Sequence, residues 1–363
     1  MAIWSLQKKL SDLFKINDNM KFNIKTLSSV NNPSSVHGIY PYRGKISAID
    51  AKQILSQMPK GSVVLDPFCG SGTIVYEGLN YGLHTLGIDA NPIAILLSKG
   101  KIHMPLSLIE VQSEVKSYIQ KAKGLSDVPV ASEYPTSLFH ENSLDEIMRM
   151  SVFFSEMSDY VKACFVGTIA LVARGCNDYK WTSSTVGKNI VPKRYICFYD
   201  KLEYKIKKHF YPIANDSEVF LGDTRNADKI IKPNSVDFIF TSPPYFDCLD
   251  YTAYYARIVY DILGYDRINI KGTLIQDFEN YEKDMQVVLN SLYNVMKPNG
   301  QVIFVVGDKK IHGRLINGAD FFNAISPFIH EETIERSYTG TSSQVFDQLN
   351  NTERKEQIVI WKK

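Results

Sequence analysis

The chain has 363 residues, 44% of them apolar and 22% charged, which excludes a disordered tract, a peptide module or a disulfide scaffold and predicts roughly two domains or one enlarged one. Lys and Arg number 41 against 39 Asp and Glu, a formal charge of +2, so binding to nucleic acid by bulk charge is excluded and any basic surface must be local. The five cysteines, Cys69, Cys164, Cys176, Cys197 and Cys248, are odd in number and show no Cys-x-x-Cys spacing, which suggests neither a metal site nor a paired framework and fits a reducing compartment.

The first 22 residues are interrupted by charges too often for a signal sequence, and no run of about 18 apolar residues is present that could cross a bilayer. A cytoplasmic protein is expected, with no membrane contact. The polar start ends in NNPSSVHGIYPYRGK, a loop by its Asn, Pro, Ser and Gly content. SVVLD at 62–66 is a β-branched strand stopped by Pro67, and TIVYEGLNYGL after it has helical spacing with Gly82 as its stop. HTLGID is a second strand ending in Asp89, and NPIAILLSKGK a second helix with Asn91 as N-cap and Pro92 in its first turn. This alternation is the pattern of a parallel, helix-covered sheet.

The alternation then breaks, with helices predicted near 110–122, 143–159 and 160–174. Residues 180–210 carry Lys180, Lys188, Lys193, Arg194, Lys201, Lys205, Lys207 and Lys208 against Asp200 and Glu203, a net +6 in one segment. Sheet-like patterning resumes with EVFLGD and with VDFIFT at 236–241, which runs into a Pro-Pro turn. A long amphipathic helix near 276–296, the strand QVIFVVGD, a helix at 318–329, a strand at 332–338 and a last strand EQIVIWK at 356–362 complete the chain.

Two turns carry chemistry. In Asp66-Pro67-Phe68-Cys69-Gly70-Ser71-Gly72-Thr73 a Gly-rich connection follows the first strand and lets a ligand approach backbone, and Asp89, 23 residues past Asp66, stands where doubly wound proteins place an acid for ribose hydroxyls. A carboxylate at the head of the turn suits a cationic amino group better than a pyrophosphate, which points to S-adenosylmethionine. In Thr241-Ser242-Pro243-Pro244-Tyr245 two prolines fix the backbone and remove two donors, so the turn offers carbonyl acceptors, a hydroxyl and an aromatic face to an amino group on a planar ring. Ser242 Oγ and the carbonyl of Pro243 are the candidate acceptors and Tyr245 the stacking face, with Phe246 a second one.

Together these two turns resemble the signature motifs of the S-adenosylmethionine-dependent DNA amino-methyltransferases, and Ser-Pro-Pro-Tyr is most similar to the cytosine-N4 branch, since adenine-N6 members more often carry Asp or Asn in place of Ser242. The resemblance covers about 35–110 and 217–362 and implies an α/β, Rossmann-like class I methyltransferase fold, with a seven-stranded, mostly parallel sheet whose last strand is reversed. It implies that Asp66, Phe68, Gly70 and Gly72 line the methionine end of the cofactor, with Asp89 on the ribose and Asp223 near the adenine amine. HGIYPYRGK resembles the family's loop that closes over the cofactor, with Arg43-Gly44 where Pro-Ala is common. The chain then divides into a cofactor-binding half at 1–104, an inserted, largely helical target-recognition region at 105–215 and a catalytic half at 216–363.

Lys180, Trp181, Lys188, Lys193, Arg194, Lys207 and Lys208 are the candidate DNA contacts, although a solvated basic helix at 201–209 is the other reading of this segment. The implied activity is methylation of the N4 amine of cytosine in a base flipped out of double-stranded DNA, in a restriction-modification or phage-defence setting. A cognate restriction endonuclease or defence-system subunits are candidate partners. Adenine-N6 methylation of DNA, guanine-N2 methylation of RNA and DNA binding without catalysis are the alternatives. Asp247, Asp250 and Tyr251 either assist the proton or cap the next helix.

Overall fold

The computed structural model describes residues 21–24, 35–42, 44–178, 194–214, 216–244, 250–311, 314–338 and 354–363. Seven strands form one sheet in the order β3-β2-β1-β4-β5-β9-β8. They are β1 (Val63–Asp66), β2 (His84–Asp89), β3 (Ser217–Leu221), β4 (Val236–Thr241), β5 (Met296–Gly307), β8 (Ile329–Tyr338) and β9 (Arg354–Lys362). β1 to β5 pair in parallel, whereas β9 runs antiparallel between β5 and β8. This is the Rossmann-like methyltransferase sheet with one reversed strand. A short hairpin, β6 (Lys309–Ile311) and β7 (Arg314–Ile316), lies outside it.

The central strands are buried on both faces because they are largely apolar, so alternate side chains feed two cores. Leu65, Ile239, Val302, Phe304, Val359 and Trp361 point to one side and meet α12 (Phe278–Val295) and α13 (Gly318–Ile325). Val64, Phe238, Phe240, Ile303, Ile358 and Ile360 point to the other and meet α1 (Ala48–Leu55) together with Ile74 of α2 (Thr73–Asn80). The last strand thus contributes to both cores. Asn91 caps α3 (Pro92–Ile102) by accepting a hydrogen bond from the amide of Ile93.

The helical region comprises α4 (Leu108–Lys123), α5 (Glu133–Leu138), α6 (Glu141–Ser151), α7 (Asp159–Cys176) and α8 (Phe198–Lys208). Its core is continuous with Ile93 and Leu97 of α3, with Val36, Ile39 and Tyr40 of the amino-terminal segment, and with Ile258 and Val259 of α10 (Tyr255–Leu263). The region is therefore a layer fused to one side of the α/β unit by shared burial. A short helix α9 (Ala227–Ile230) follows β3, and α11 (Arg267–Thr273) follows α10.

The seam of that layer is the contact of α7 with α3. A Cβ added to Gly100 would stand 2.3 Å from Cβ of Ala163 and 2.8 Å from the carbonyl oxygen of Asp159. Gly100→Ala should therefore push the two helices apart and destabilise the fold by about 1–3 kcal/mol, read from the midpoint and slope of a chemical denaturation curve. An unchanged midpoint would show that the seam is not close-packed.

Candidate functional site

The strand order places a topological switch point between β1 and β4, because the chain runs outward from β1 to β3 and then crosses back to β4. Ligands of such sheets bind outside the carboxyl ends of the strands at this point. Here the ends are Asp66 and Thr241, and Thr241 Oγ1 donates a hydrogen bond of 2.6 Å to Asp66 Oδ1 across 175 residues of sequence. The two turns singled out by their residues are thereby joined at their roots.

A cleft of about 810 Å³ of empty volume, partly open to solvent, lies above this junction. Its floor is Asp66, Phe68, Cys69, Gly70, Ser71, Thr73 and Ile74, with Asp89, Ala90 and Asn91 beside it. Asp223 and Thr224 come from the end of β3, and Ser242 and Pro244 from the end of β4. Tyr42, Gly44, Lys45 and Ile46 wall it on the amino-terminal side, and Thr273, Leu274 and Ile275 on the opposite side. Asp66, Phe68, Gly70, Asp89, Asp223, Ser242 and Pro244 thus meet in one place.

The turn after β1 closes through glycine. Gly70 and Gly72 have φ of +49° and +71°, a region that side chains rarely adopt. A Cβ on Gly70 would stand 3.0 Å from the ring of Tyr42. Gly72 differs from the expectation that it faces a ligand: it is buried behind the turn, and a Cβ there would meet Ser98 Oγ at 2.6 Å. It allows the turn to pack on α3 rather than lining the cleft. Pro243 likewise is buried behind Ser242 and Pro244 and is not part of the cleft wall. Of the two acceptors named from the sequence, Ser242 is the one on the cleft. Tyr245, Phe246 and Asp247 lie outside the described residues.

The carboxylates sit in a strained electrostatic setting. Asp66 is 3% exposed, and burial pushes its pKa up to about 7, against the pull of the Thr241 hydroxyl and the Phe68 amide and with the help of the neighbouring Asp89. Burial likewise raises Asp89 to about 6, opposed by hydrogen bonds from the amides of Asn91 and Gly70 at 2.8 Å each. Neither acid is paired with a cation among the described residues. Asp223 is held differently: Arg225 Nε reaches both of its oxygens at 2.9 and 3.0 Å, and the same guanidinium bonds Asp284 and the carbonyl of Thr273. That bridge fixes the 273–275 wall against the end of β3.

These features fit S-adenosylmethionine. The glycine cradle admits backbone contact, Asp66 and Asp89 offer negative charge to an ammonium and to ribose hydroxyls, and the buried hydroxyl of Thr73 has no hydrogen-bond partner among the described residues. Among those residues no group of three His, Cys, Asp or Glu is placed to hold a metal ion. No helix among them is long and apolar enough to cross a membrane.

Two residues hold the turn after β4: Tyr281, which the sequence pattern did not single out, and Asp250, which it offered as a proton acceptor or a helix cap. Tyr281 of α12, buried to 1% exposure, donates its hydroxyl to the carbonyl of Pro244 at 2.5 Å. Asp250, just beyond the turn, accepts from Thr252 through Oδ1 and from Arg267 and Lys271 through Oδ2, both at 3.0 Å. Burial would raise its pKa, but the bonds from Thr252 and Lys271 hold it below the ordinary carboxylate value. A carboxylate so occupied ties this stretch to α11. Tyr251 lines the cleft.

Of the expected DNA contacts, Lys180, Trp181, Lys188 and Lys193 lie outside the described residues. Arg194 and Lys207 are exposed, and Lys208 lies over the ring of Tyr204 at 5.6 Å. Lys205, which contributes to the +6 count, is 6% exposed and unavailable to a phosphate.

Comparison with known proteins adds a family. Residues 49–297 match the family described as D12 class N6 adenine-specific DNA methyltransferase. The chain is 22% identical to the type II methyltransferase M.MjaII of Methanocaldococcus jannaschii, over 82% of this chain and 76% of that protein. It is 28% identical to the type II methyltransferase M.MvaI of Kocuria varians over 39% of this chain and 30% of that one. Among solved structures, TrmN from Thermus thermophilus aligns with a TM-score of 0.38 at 12% identity, over 88% of this chain and 50% of that one.

The raised pKa of Asp66 gives the cleft a pH signature. A bound ammonium favours the ionised carboxyl, so binding must displace the proton that Asp66 carries below about pH 7. Affinity for S-adenosylmethionine should therefore rise with pH and be about tenfold weaker at pH 6 than at pH 8, measured by calorimetry. At pH 7 part of a proton should be released on binding, seen as a dependence of the heat on buffer ionisation enthalpy. Asp66→Asn should remove most of both effects, leaving the smaller part due to Asp89; a flat profile in the unsubstituted protein would remove Asp66 from the ammonium site.

Proposed function

The chain belongs to the D12 class of N6 adenine-specific DNA methyltransferases, and from that premise we propose that it methylates an exocyclic amine of a base flipped out of double-stranded DNA, the N4 amine of cytosine being its acceptor. The methyl donor is S-adenosylmethionine, which supplies a methyl group on a positively charged sulfur that needs no further activation. The observation that carries the reading is the meeting of Ser242 and Pro244 with Asp66 and Asp89 in one cleft.

Asp66, Phe68 and Gly70 would hold the methionine end of the donor, Asp89 its ribose and Asp223 its adenine amine, while the hydroxyl of Thr73 suits the carboxylate of the methionine. The exocyclic amine of a base is a poor nucleophile because its lone pair is delocalised into the ring. Ser242 Oγ, accepting a hydrogen bond from the amine, favours a pyramidal nitrogen with its lone pair free, and the rigid Pro243-Pro244 backbone aims it at the donor; the proton that the nitrogen sheds after methyl transfer passes to solvent. Tyr245 would supply the stacking face. The chain's contribution is thus alignment and placed dipoles, with no covalent intermediate.

Ser242, in the position where Asp or Asn is more frequent in adenine-N6 members, supports cytosine N4. The family match supports adenine N6 and is the second reading. The exposed Arg194 and Lys207, with Lys208, would contact phosphates from the helical layer, joined by Lys180, Trp181, Lys188 and Lys193. A cognate endonuclease or defence-system subunits would complete a restriction-modification setting.

Nucleoside mass spectrometry of DNA and RNA from cells expressing the protein tests this directly. The expected product is 4-methylcytosine in DNA, absent with Ser242→Ala. Finding 6-methyladenine would move the acceptor to adenine, and a modified guanine in RNA alone would overturn the DNA assignment. Tyr281→Phe, which removes the hydroxyl that holds Pro244, should lower kcat about tenfold and leave cofactor affinity within about twofold. Unchanged kcat would show that the turn is held by its prolines alone.

A further inference from the structure

The segment 35–42 is gripped from two sides. From the helical layer, Lys205 Nζ of α8 donates to the carbonyl of Ile39 at 2.9 Å, and His209 Nδ1, just past the end of α8, bonds the carbonyl of Ser35 at 2.8 Å. Gly167 of α7 lets this segment approach: a Cβ there would fall 2.0 Å from the Ile39 carbonyl oxygen. From the α/β unit, His37 bonds Glu77 of α2 through Nε2 at 2.6 Å and Lys101 of α3 through Nδ1 at 3.2 Å. Lys45 Nζ returns to the carbonyl of His37 at 2.8 Å. Burial and the nearby Lys101 hold the His37 pKa down to about 4, so the ring is neutral, donating to Glu77 and accepting from Lys101. The segment ends in Tyr42, whose ring rests on Gly70 in the cofactor turn.

Lys205 is an expensive way to make this contact. A buried ammonium loses its hydration, and a neutral carbonyl returns only part of that free energy. Burial lowers its pKa to about 8, the same penalty seen in another observable. An apolar side chain of similar length would fill the space at no such cost, so what the lysine contributes is position rather than stability. Lys207, in the same turn of α8, is exposed and Lys208 half-buried, where Lys205 faces in. One helical turn thus presents cations to solvent and holds the strap that walls the cofactor cleft.

We propose that Lys205 is a positioning residue of the cofactor site: by fixing the carbonyl of Ile39 it sets the segment 35–42 and Tyr42 against Gly70, and so links occupancy of the outer face of α8 to occupancy of the cleft. This rests on the reading of the cleft as the donor site and of α8 as part of the DNA-facing layer. Linkage is reciprocal, so duplex bound on α8 and donor bound in the cleft change each other's affinity by the same factor.

The test uses the full-length chain. Lys205→Met should raise KM and the calorimetric dissociation constant for S-adenosylmethionine about tenfold, with kcat at saturating donor within about twofold and a melting temperature equal to or above that of the unsubstituted protein. Lys201→Met, on the same helix, should leave donor affinity unchanged. Unchanged donor affinity in Lys205→Met, or a loss matched by a fall in melting temperature and kcat together, would overturn the positioning role. In the unsubstituted protein, saturation with a mixed-sequence duplex should shift donor affinity several-fold, and a duplex that binds without any shift would overturn the linkage. A protein that binds donor but no duplex would instead sink the DNA reading of α8, and one that binds no donor would sink the reading of the cleft.

Discussion

The buried hydrogen bond from Thr241 to Asp66 is the constraint on which the rest of the site depends. It ties the carboxyl ends of the two strands that flank the switch point, and each strand delivers one of the two chemical turns. A sheet alone would bring these ends near each other, but side by side and free to splay. Backbone pairing sets their register, the bond adds a side-chain tie at their ends, and Tyr281 holds the second turn from α12. The cost is a carboxyl group with little hydration, which is why its pKa sits near 7 and why a cation in the cleft is favoured.

Around this junction the walls come from parts of the chain that sheet topology does not dictate. The amino-terminal segment lies between the helical layer and α2, and the 273–275 stretch is pinned by the Arg225 bridge to Asp223 and Asp284. Both are irregular backbone, which is stable at the edge of a cleft only when its polar groups are held. The holding groups are polar side chains: the neutral His37 with buried Glu77, Lys101 and Lys205 on one side, and the half-buried Arg225 on the other. The molecule spends electrostatic free energy in these places to define shape, and apolar burial elsewhere offsets it.

Much of the sheet was legible because its strands are short β-branched runs cut by Gly or Pro, as at Val63–Asp66 and Val236–Thr241, and because Asn91-Pro92 is an unambiguous helix start. The reversed last strand could be named from resemblance, and its antiparallel pairing with β5 and β8 agrees. Helices α10 and α11, and the hairpin β6–β7, were not legible. α10 is amphipathic but only nine residues long and packs on α5 and α7, whereas α11 buries no residue and is held by ion pairs such as Asp250 with Arg267. Spacing also could not separate the lining glycine, Gly70, from the packing glycine, Gly72, since both need positive φ and differ only in which side faces Ser98. Within the basic segment, charge counting treats Lys205 and Lys207 alike, and only the helix phase distinguishes the one that is buried from the one that is exposed.

The central claim is that one buried contact makes the cofactor turn and the catalytic turn a single unit. A double-mutant cycle of Thr241→Val and Asp66→Ala, read on the rate of methyl transfer at saturating donor and DNA, tests it most directly. The account predicts strong non-additivity, with Thr241→Val costing about tenfold in the unsubstituted protein and little once Asp66 is gone. Additive effects of the two substitutions would show that the turns act independently, and would contradict it.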